Sequence, residues 1–221
     1  ARPGAVAGSV LKLKKSYVLP FETYKTLATN TLALITNSIS LIGERGEGTA
    51  IQILVKPTHH TAKHDAGKVI KALTSGRSFG DAARELAGPV AFMETLDWIF
   101  STLGFKKEQK ELPQVNPALA PESQEIIRAI EAKARQNLFE VNVRILASAR
   151  AVDRAEEILA SAENAFSQFQ SPNLNSFYAS RIYGKKLKKL TYNFSFRLFN
   201  KNEKIILSAE ELTSIFHWPI I

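Results

Sequence analysis

Leu138-Phe139-Glu140-Val141-Asn142-Val143-Arg144-Ile145-Leu146-Ala147 is the stretch that decides the fold class. Phe139, Val141, Val143 and Ile145 fall on one side of an extended chain, with Glu140, Asn142 and Arg144 on the other. That period of two marks a strand with one buried face. Before it, residues 122–136 place Ile126, Ile127, Ile130 and Ala134 at helical spacing, entered through Pro121. After it, Asp153 reads as the cap of a helix whose inner stripe is Ile158, Leu159, Ala162, Phe166 and Phe169. Residues 122–170 are thus a helix–strand–helix unit.

Residues 30–74 repeat that order. Leu32, Ile35, Ile39 and Ile42 recur at helical spacing and stop at Gly43. In Thr49–Val55, Ile51, Ile53 and Val55 alternate with Ala50, Gln52 and Leu54, so both faces are largely apolar and a central position in the sheet is expected. Pro57 ends this strand, and His59–Thr74 reads as a helix with Ala62, Ala66, Val69, Ile70 and Leu73 inward. Further strands are expected at Val10–Leu19, at Tyr192–Leu198 with Tyr192, Phe194, Phe196 and Leu198 inward, and at Ile205–Ser208. The sum is an α+β fold: a mainly antiparallel sheet with helices packed on one face, in a duplicated or split ferredoxin-like arrangement.

The expected organisation runs in four parts. Residues 1–9, mostly small and without the apolar core of a signal peptide, read as a flexible N-terminal tail or an expression remnant. Residues 10–104 form the first α/β half, residues 105–121 a loop or linker rich in Lys, Glu, Gln, Asn and Pro, and residues 122–221 the second half. Within the first half, residues 78–103 suggest two helices broken at Gly88-Pro89. The second of these is apolar on more than one side through Phe92, Met93, Leu96, Trp98, Ile99, Phe100 and Leu103. Such a helix is buried or meets a partner, and core packing is the stronger reading.

With 221 residues and 45% hydrophobic content, the chain can bury a core without a metal or disulfide. It has no cysteine, which excludes disulfide scaffolds, thiolate metal sites and cysteine nucleophiles. It contains no apolar run of membrane-spanning length. The net charge of +8 favours polyanionic partners or an acidic membrane surface.

Candidate chemistry is sparse. His60 and His64 are spaced to share a helix face, with His59 and Asp65 nearby, but the intervening residues supply no Glu base, and surface histidines are the expected reading. Gly43-Glu44-Arg45-Gly46-Glu47-Gly48 is glycine-rich, yet its glutamates would repel phosphate and it precedes a strand rather than a helix. There is no Lys-Ser/Thr phosphate loop, and Gly76-Arg77-Ser78-Phe79-Gly80, which has the Gly-x-Ser-x-Gly spacing, follows the expected helix over residues 59–74 rather than the strand a nucleophile elbow requires. Glu156-Glu157 and Glu210-Glu211 sit where helix starts are expected, favourable to the macrodipole. The chain therefore reads as non-enzymatic, with no catalytic, cofactor or metal residues of its own. One cluster remains: Arg181, Lys185, Lys186, Lys188, Lys189 and Arg197, interleaved with Tyr183, Tyr192, Phe194 and Phe196. Basic and aromatic residues together could contact a polyanion, and a nucleic-acid-binding module using residues 181–204 is the alternative function. Shared placement of Tyr192, Phe194 and Phe196 in a core strand, with Lys185–Lys189 in a solvated hairpin or an electrostatic contact surface, is the simpler reading.

The closing stretch, Ile205-Ile206-Leu207-Ser208-Ala209-Glu210-Glu211-Leu212-Thr213-Ser214-Ile215-Phe216-His217-Trp218-Pro219, reads as a strand, a capping box between Ser208 and Glu211, and a helix with Leu212, Ile215 and Phe216 inward. Taken with Tyr17–Tyr24, Glu47–Pro57, Phe139–Ile145, Phe166–Phe169 and Asn173–Phe177, this ordered set resembles one known arrangement. It is similar to the N-terminal domain that precedes the motor in TraG-like and HerA-like type IV secretion (conjugation) ATPases, of the kind found in candidate-phylum bacteria. The resemblance runs discontinuously from about Tyr17 to Pro219 and is loose over residues 76–121. It implies a non-catalytic accessory or assembly domain, ending at a junction to an ATPase domain that would hold ATP and Mg. Its implied partners are other subunits and secretion-machinery proteins, with DNA as a further one and no small-molecule substrate. Its implied location is cytoplasmic, at the inner face of the cell membrane through the full-length protein.

Overall fold

The structure, a computed structural model, describes residues 4–27, 31–40, 42–43, 46–58, 62–79, 81, 121–171 and 173–216. Strand β1 (Ala5–Leu13) is followed by helix α1 (Thr31–Ser40) and strand β2 (Gly48–Pro57). Helices α2 (Ala62–Thr74) and α3 (Pro121–Ala134) come next. Strand β3 (Leu138–Ala149), helix α4 (Val152–Asn164) with a 3-10 turn at Ala165–Phe169, and strand β4 (Phe177–Ile182) form a second strand–helix–strand run. Helix α5 (Gly184–Ser195), a 3-10 turn at Lys201–Glu203, strand β5 (Ile205–Ser208) and helix α6 (Ala209–Ile215) complete the described elements. The expected helices and loop over residues 82–120 lie outside the described residues, as do His59, His60 and residues 217–221.

The sheet order is β2-β3-β1-β4 with every neighbour antiparallel, and β5 also pairs with β3. This is the α+β antiparallel architecture expected. Its two β-α-β runs are interleaved, since β1 lies between β3 and β4, while β3 lies between β1 and β2. That is the split ferredoxin-like order built once from both halves of the chain. The segment between β2 and β3 adds a helical pair: α2 and α3 close a small core of Val18, Leu19, Ala66, Val69, Leu73 and Ile130.

One face of the sheet holds the main core. Val141, Val143, Ile145, Ala147 and Ala149 of β3 meet Ala7 and Leu11 of β1 under Ala155, Ile158, Leu159 and Ala162 of α4. Each Leu or Ile buried this way is worth about 1.5–3 kcal/mol, which is what holds α4 to the sheet. Phe21, Phe166, Phe169 and Phe177 close one end, with Phe21 and Phe177 ring centroids 4.7 Å apart. The stretch Ala151–Asp153 differs in detail from expectation: Ala151 is the N-cap and makes no side-chain cap bond, and Asp153 sits inside the first turn.

The N-terminal residues depart from the tail reading. Ala5–Ser9 are in β1, paired to Ile145–Ala149, with Ala7 and Ser9 buried. Their small side chains are a packing requirement rather than a sign of flexibility. A Cβ on Gly8 would lie 2.6 Å from Leu146 Cδ2 and 3.0 Å from side-chain carbons of Leu187 and Leu190. Helix α5 therefore crosses the opposite face of the sheet at that glycine. β1 also ends earlier than the alternation suggested: Lys14–Pro20 is irregular, held by Asn175, whose side chain donates to Lys15 O, Ser16 O and Leu19 O and accepts from Lys15 N and Ser176 N.

Residues 192–198 are not a strand. Tyr192 lies in α5, and Tyr192, Phe196 and Leu198 are exposed, because the inward set is Leu187, Leu190 and Asn193 with Phe194 at helical spacing. The alternation of aromatics coincides with one turn and a helix end. That end is a left-handed cap: Arg197 has φ +52°, Leu198 N–H donates to Asn193 O and Arg197 N–H to Phe194 O. Lys185–Lys189 are likewise the start of this helix, not a hairpin.

The capping box forms as expected, and it is buried. Ser208 Oγ accepts from Glu211 N–H at 3.3 Å, and Glu211 Oε2 accepts from Ser208 N–H at 2.8 Å. Glu211 further accepts from Phe21 N–H and pairs with Lys133 Nζ at 2.7 Å, both charged groups being almost fully enclosed. Burial depresses the Lys133 pKa, and the Glu211 charge and hydrogen bond oppose that. Removing one partner strands the other charge, so Glu211→Ala is expected to cost about 3–5 kcal/mol in urea unfolding. Lys133→Met/Glu211→Leu should cost clearly less than the sum of the two single substitutions. Arg197→Gly relieves a strained backbone and should raise stability by about 0.5–1 kcal/mol in the same assay.

Candidate functional site

An apolar groove opens beside β2, on the α4 side of the sheet. Leu32, Ile35, Thr36 and Ile39 of α1 form one wall; Ile51, Ile53 and Val55 of β2 form the floor. Phe166 and the α6 residues Leu212, Thr213 and Ile215, with Phe216 just beyond, close it. Its volume is about 660 Å³, and among the described residues its only polar side chains are two threonines. Among the described residues no charged side chain lines it.

The groove exists because β2 is at the edge of the sheet, contrary to the central position its sequence suggested. All ten residues of β2 pair with β3, from Gly48↔Ser148 to Pro57↔Phe139, and among the described residues no strand takes its other side. The apolar character of its α4-side face therefore has a different cause. Ile51 and Ile53 extend past the cover of α4 and floor the groove, while Val55 is 46% exposed.

The walls are fixed by polar anchors behind them. Thr31 Oγ1 at the start of α1 donates to Ser214 O of α6 at 2.7 Å, and Tyr24 N–H donates to Ser214 Oγ. Glu210 accepts from Thr23 Oγ1, Lys25 Nζ and Gln136 Nε2. Arg154 of α4 holds Glu47, just before β2, with 2.7 and 3.1 Å hydrogen bonds. Glu47 of the glycine-rich turn is thus an anchor for the strand.

The basic cluster is divided by the sheet. Arg181 of β4 is on the α4 side, donating to Glu163 at 3.0 Å and lying 3.9 Å from Glu156. Lys185, Lys186, Lys188 and Lys189 are exposed on α5, over the other face, with Arg197 just after that helix. Of the carboxylate pairs, Glu156 and Glu157 face Arg181 and Arg154, while Glu210 and Glu211 occupy the first turn of α6. His64 lies beside Asp65, which accepts from Tyr17 Oη. Among the described residues no three His, Asp or Glu side chains gather in a metal-holding cluster, and no helix is long and apolar enough to cross a membrane.

The groove residues had been legible as apolar, but were assigned to a core.

A family model described as a domain of unknown function, DUF8128, matches residues 2–220. The chain belongs to the DUF8128 family. No curated protein matches it, and no solved structure does. The match covers the groove, the α5 surface and the buried capping box of this DUF8128 domain alike.

The anchors have a pH signature. Burial raises the Glu210 pKa, but hydrogen bonds from Lys25, Thr23 and Gln136 and the Lys25 charge outweigh it, so the net direction is down from 4.5. A depressed carboxylate contributes stability that is complete above its unfolded pKa and lost as pH falls through its folded pKa. Urea midpoints should therefore fall as the pH drops below 4.5. Glu210→Gln should make that acid limb shallower.

Proposed function

We propose that this domain is a non-catalytic assembly domain, and that the groove beside β2 receives an apolar, extended segment of a neighbouring copy of the protein. The observation that carries this reading is the continuity of the groove with the outer edge of β2, which no strand takes among the described residues. An apolar floor supplies the hydrophobic contact, and the outer backbone groups of β2 supply hydrogen bonds that only another extended chain can use fully. A small ligand would fill a space of this volume but would leave the edge unused.

The wider setting comes from the resemblance to the domain preceding the motor of TraG-like and HerA-like secretion ATPases. The separated stretches behind the resemblance meet in one place: Phe21 packs on Phe169 and Phe177, its N–H donates to Glu211, and Asn175 N–H donates to Pro20 O. On this reading the domain positions subunits of a conjugation-type ATPase at the cytoplasmic side of a membrane, and the ATP chemistry belongs to a separate domain.

Val55→Glu tests the groove with little risk to folding, since this side chain is half exposed and such sites usually tolerate substitution within about 0.5 kcal/mol. In sedimentation velocity, the chain should self-associate, and Val55→Glu should weaken that association at least about tenfold. A chain that stays monomeric at high concentration, or an oligomer indifferent to Val55→Glu, would overturn the proposal. ATP turnover by the 221-residue chain would overturn its non-catalytic part.

A further inference from the structure

The outer side of α5 supports a second inference, independent of the groove. Lys185, Lys188, Lys189, Tyr192 and Phe196 recur at spacings of three and four, so they share the side of the helix turned away from Leu187, Leu190 and Phe194. Every member of the stripe is exposed, with Tyr192 at 57% and Phe196 at 62%. The Tyr192 and Phe196 rings lie 4.6 Å apart, and Tyr183 and Leu198 at the two ends of the helix are exposed as well.

This arrangement is costly for the isolated domain. The first turn of α5 has no acidic residue, so Lys185 and Lys186 face the positive end of the helix dipole uncompensated. Lys185 and Lys189 repel at helical spacing. Among the described residues, none of Lys185, Lys186, Lys188, Lys189 and Arg197 has an ion-pair partner. Arg197 in addition holds a left-handed backbone that glycine would adopt without strain. An extended negative surface turns each of the charge penalties into attraction.

Shape and chemistry choose among negative surfaces. Single-stranded nucleic acid is held in a charged channel that tracks its backbone. Here the stripe is a ridge, and at its C-terminal end exposed Tyr192, Phe196 and Leu198 stand beside the cations, Arg197 among them. Lysines flanked by exposed aromatics are the pattern that seats among lipid headgroups. We propose that α5 rests on an anionic bilayer surface, with Lys185, Lys188 and Lys189 among the headgroups and Tyr192, Phe196 and Leu198 at the headgroup–acyl boundary.

Co-sedimentation of the 221-residue chain with lipid vesicles tests this. Binding is expected to phosphatidylcholine vesicles containing phosphatidylglycerol and not to phosphatidylcholine alone, and to weaken with added salt. Lys188→Glu/Lys189→Glu should weaken it by more than about tenfold, at roughly fivefold for each lysine lost. Phe196→Ser should weaken it while leaving the salt dependence unchanged. Arg197→Gly is the discriminating variant: binding should fall about fivefold although the protein becomes no less stable. No binding to the anionic vesicles at low salt, equal binding to the neutral ones, or full binding by these variants would overturn the proposal. So would tighter binding of single- or double-stranded oligonucleotides than of anionic vesicles at the same salt, an outcome that assigns the ridge to nucleic acid.

Discussion

Strand β3 is the constraint from which the rest of the molecule follows. It is bonded along one edge to β2 over ten residues, and its other edge is shared: β1 takes Arg144–Ala149 and β5 takes Leu138–Val141. Two strands from opposite ends of the chain must therefore meet end to end against one partner. Because β5 returns to the start of β3, helix α6 is delivered next to the end of α3, and Ala209 N–H bonds Asn137 O. The buried Lys133–Glu211 pair is the electrostatic consequence of that meeting. Glu211 accepts from Lys133, Phe21 and Ser208, which joins the α2–α3 insertion, the chain after β1 and the C-terminal helix at a single carboxylate. A charge pair so enclosed gains its stability from being fully hydrogen-bonded rather than from attraction alone.

The two sides of β3 impose different chemistry on the two faces of the domain. On one, Val141, Val143 and Ile145 build the hydrophobic core that α4 covers, and the cover runs out over β2, leaving the groove. On the other, Asn142 and Arg144 are buried in a polar network. Arg144 donates to Glu203 Oε2 at 3.1 Å and to Asn142 Oδ1 at 3.2 Å, and Asn142 holds Asn200 through both its amide oxygen and nitrogen. That network seats the turn after α5 and so sets the helix down with its inner leucines on Gly8 and its lysines outward. The groove and the basic ridge are thus products of one strand with two unlike faces, and they look in different directions.

Much of this was legible in local pattern. The strand at residues 138–149, the helices over residues 31–40, 121–134 and 152–164, and the Ser208–Glu211 capping box each rest on contacts within a few residues, so periodicity and cap chemistry suffice to find them. The misreadings share one origin. Ala5–Ser9 looks like a tail because its side chains are small, whereas it is a paired strand in which Gly8 must lack a side chain to admit α5. Tyr192, Phe196 and Leu198 looked inward because they alternate, whereas the helix stripe of Leu187, Leu190 and Phe194 is what packs. β2 looked central because it is apolar on both sides, whereas only its partner list makes it an edge.

By itself, then, the sequence determined an α+β chain with an antiparallel sheet, the location of most helices, the buried helix cap and a cluster of cations with no acidic neighbours on its helix. Tertiary structure alone decided that the two halves interleave into one sheet, that β2 borders a groove, and that Arg181 is neutralised by Glu163 while Lys185, Lys186, Lys188 and Lys189 are exposed on the far face. The division has a physical reason. Helix and strand periods and caps are set by neighbours along the chain, but strand order, edges and the exposure of a surface depend on pairings between residues more than a hundred positions apart, such as Ala5 with Ala149.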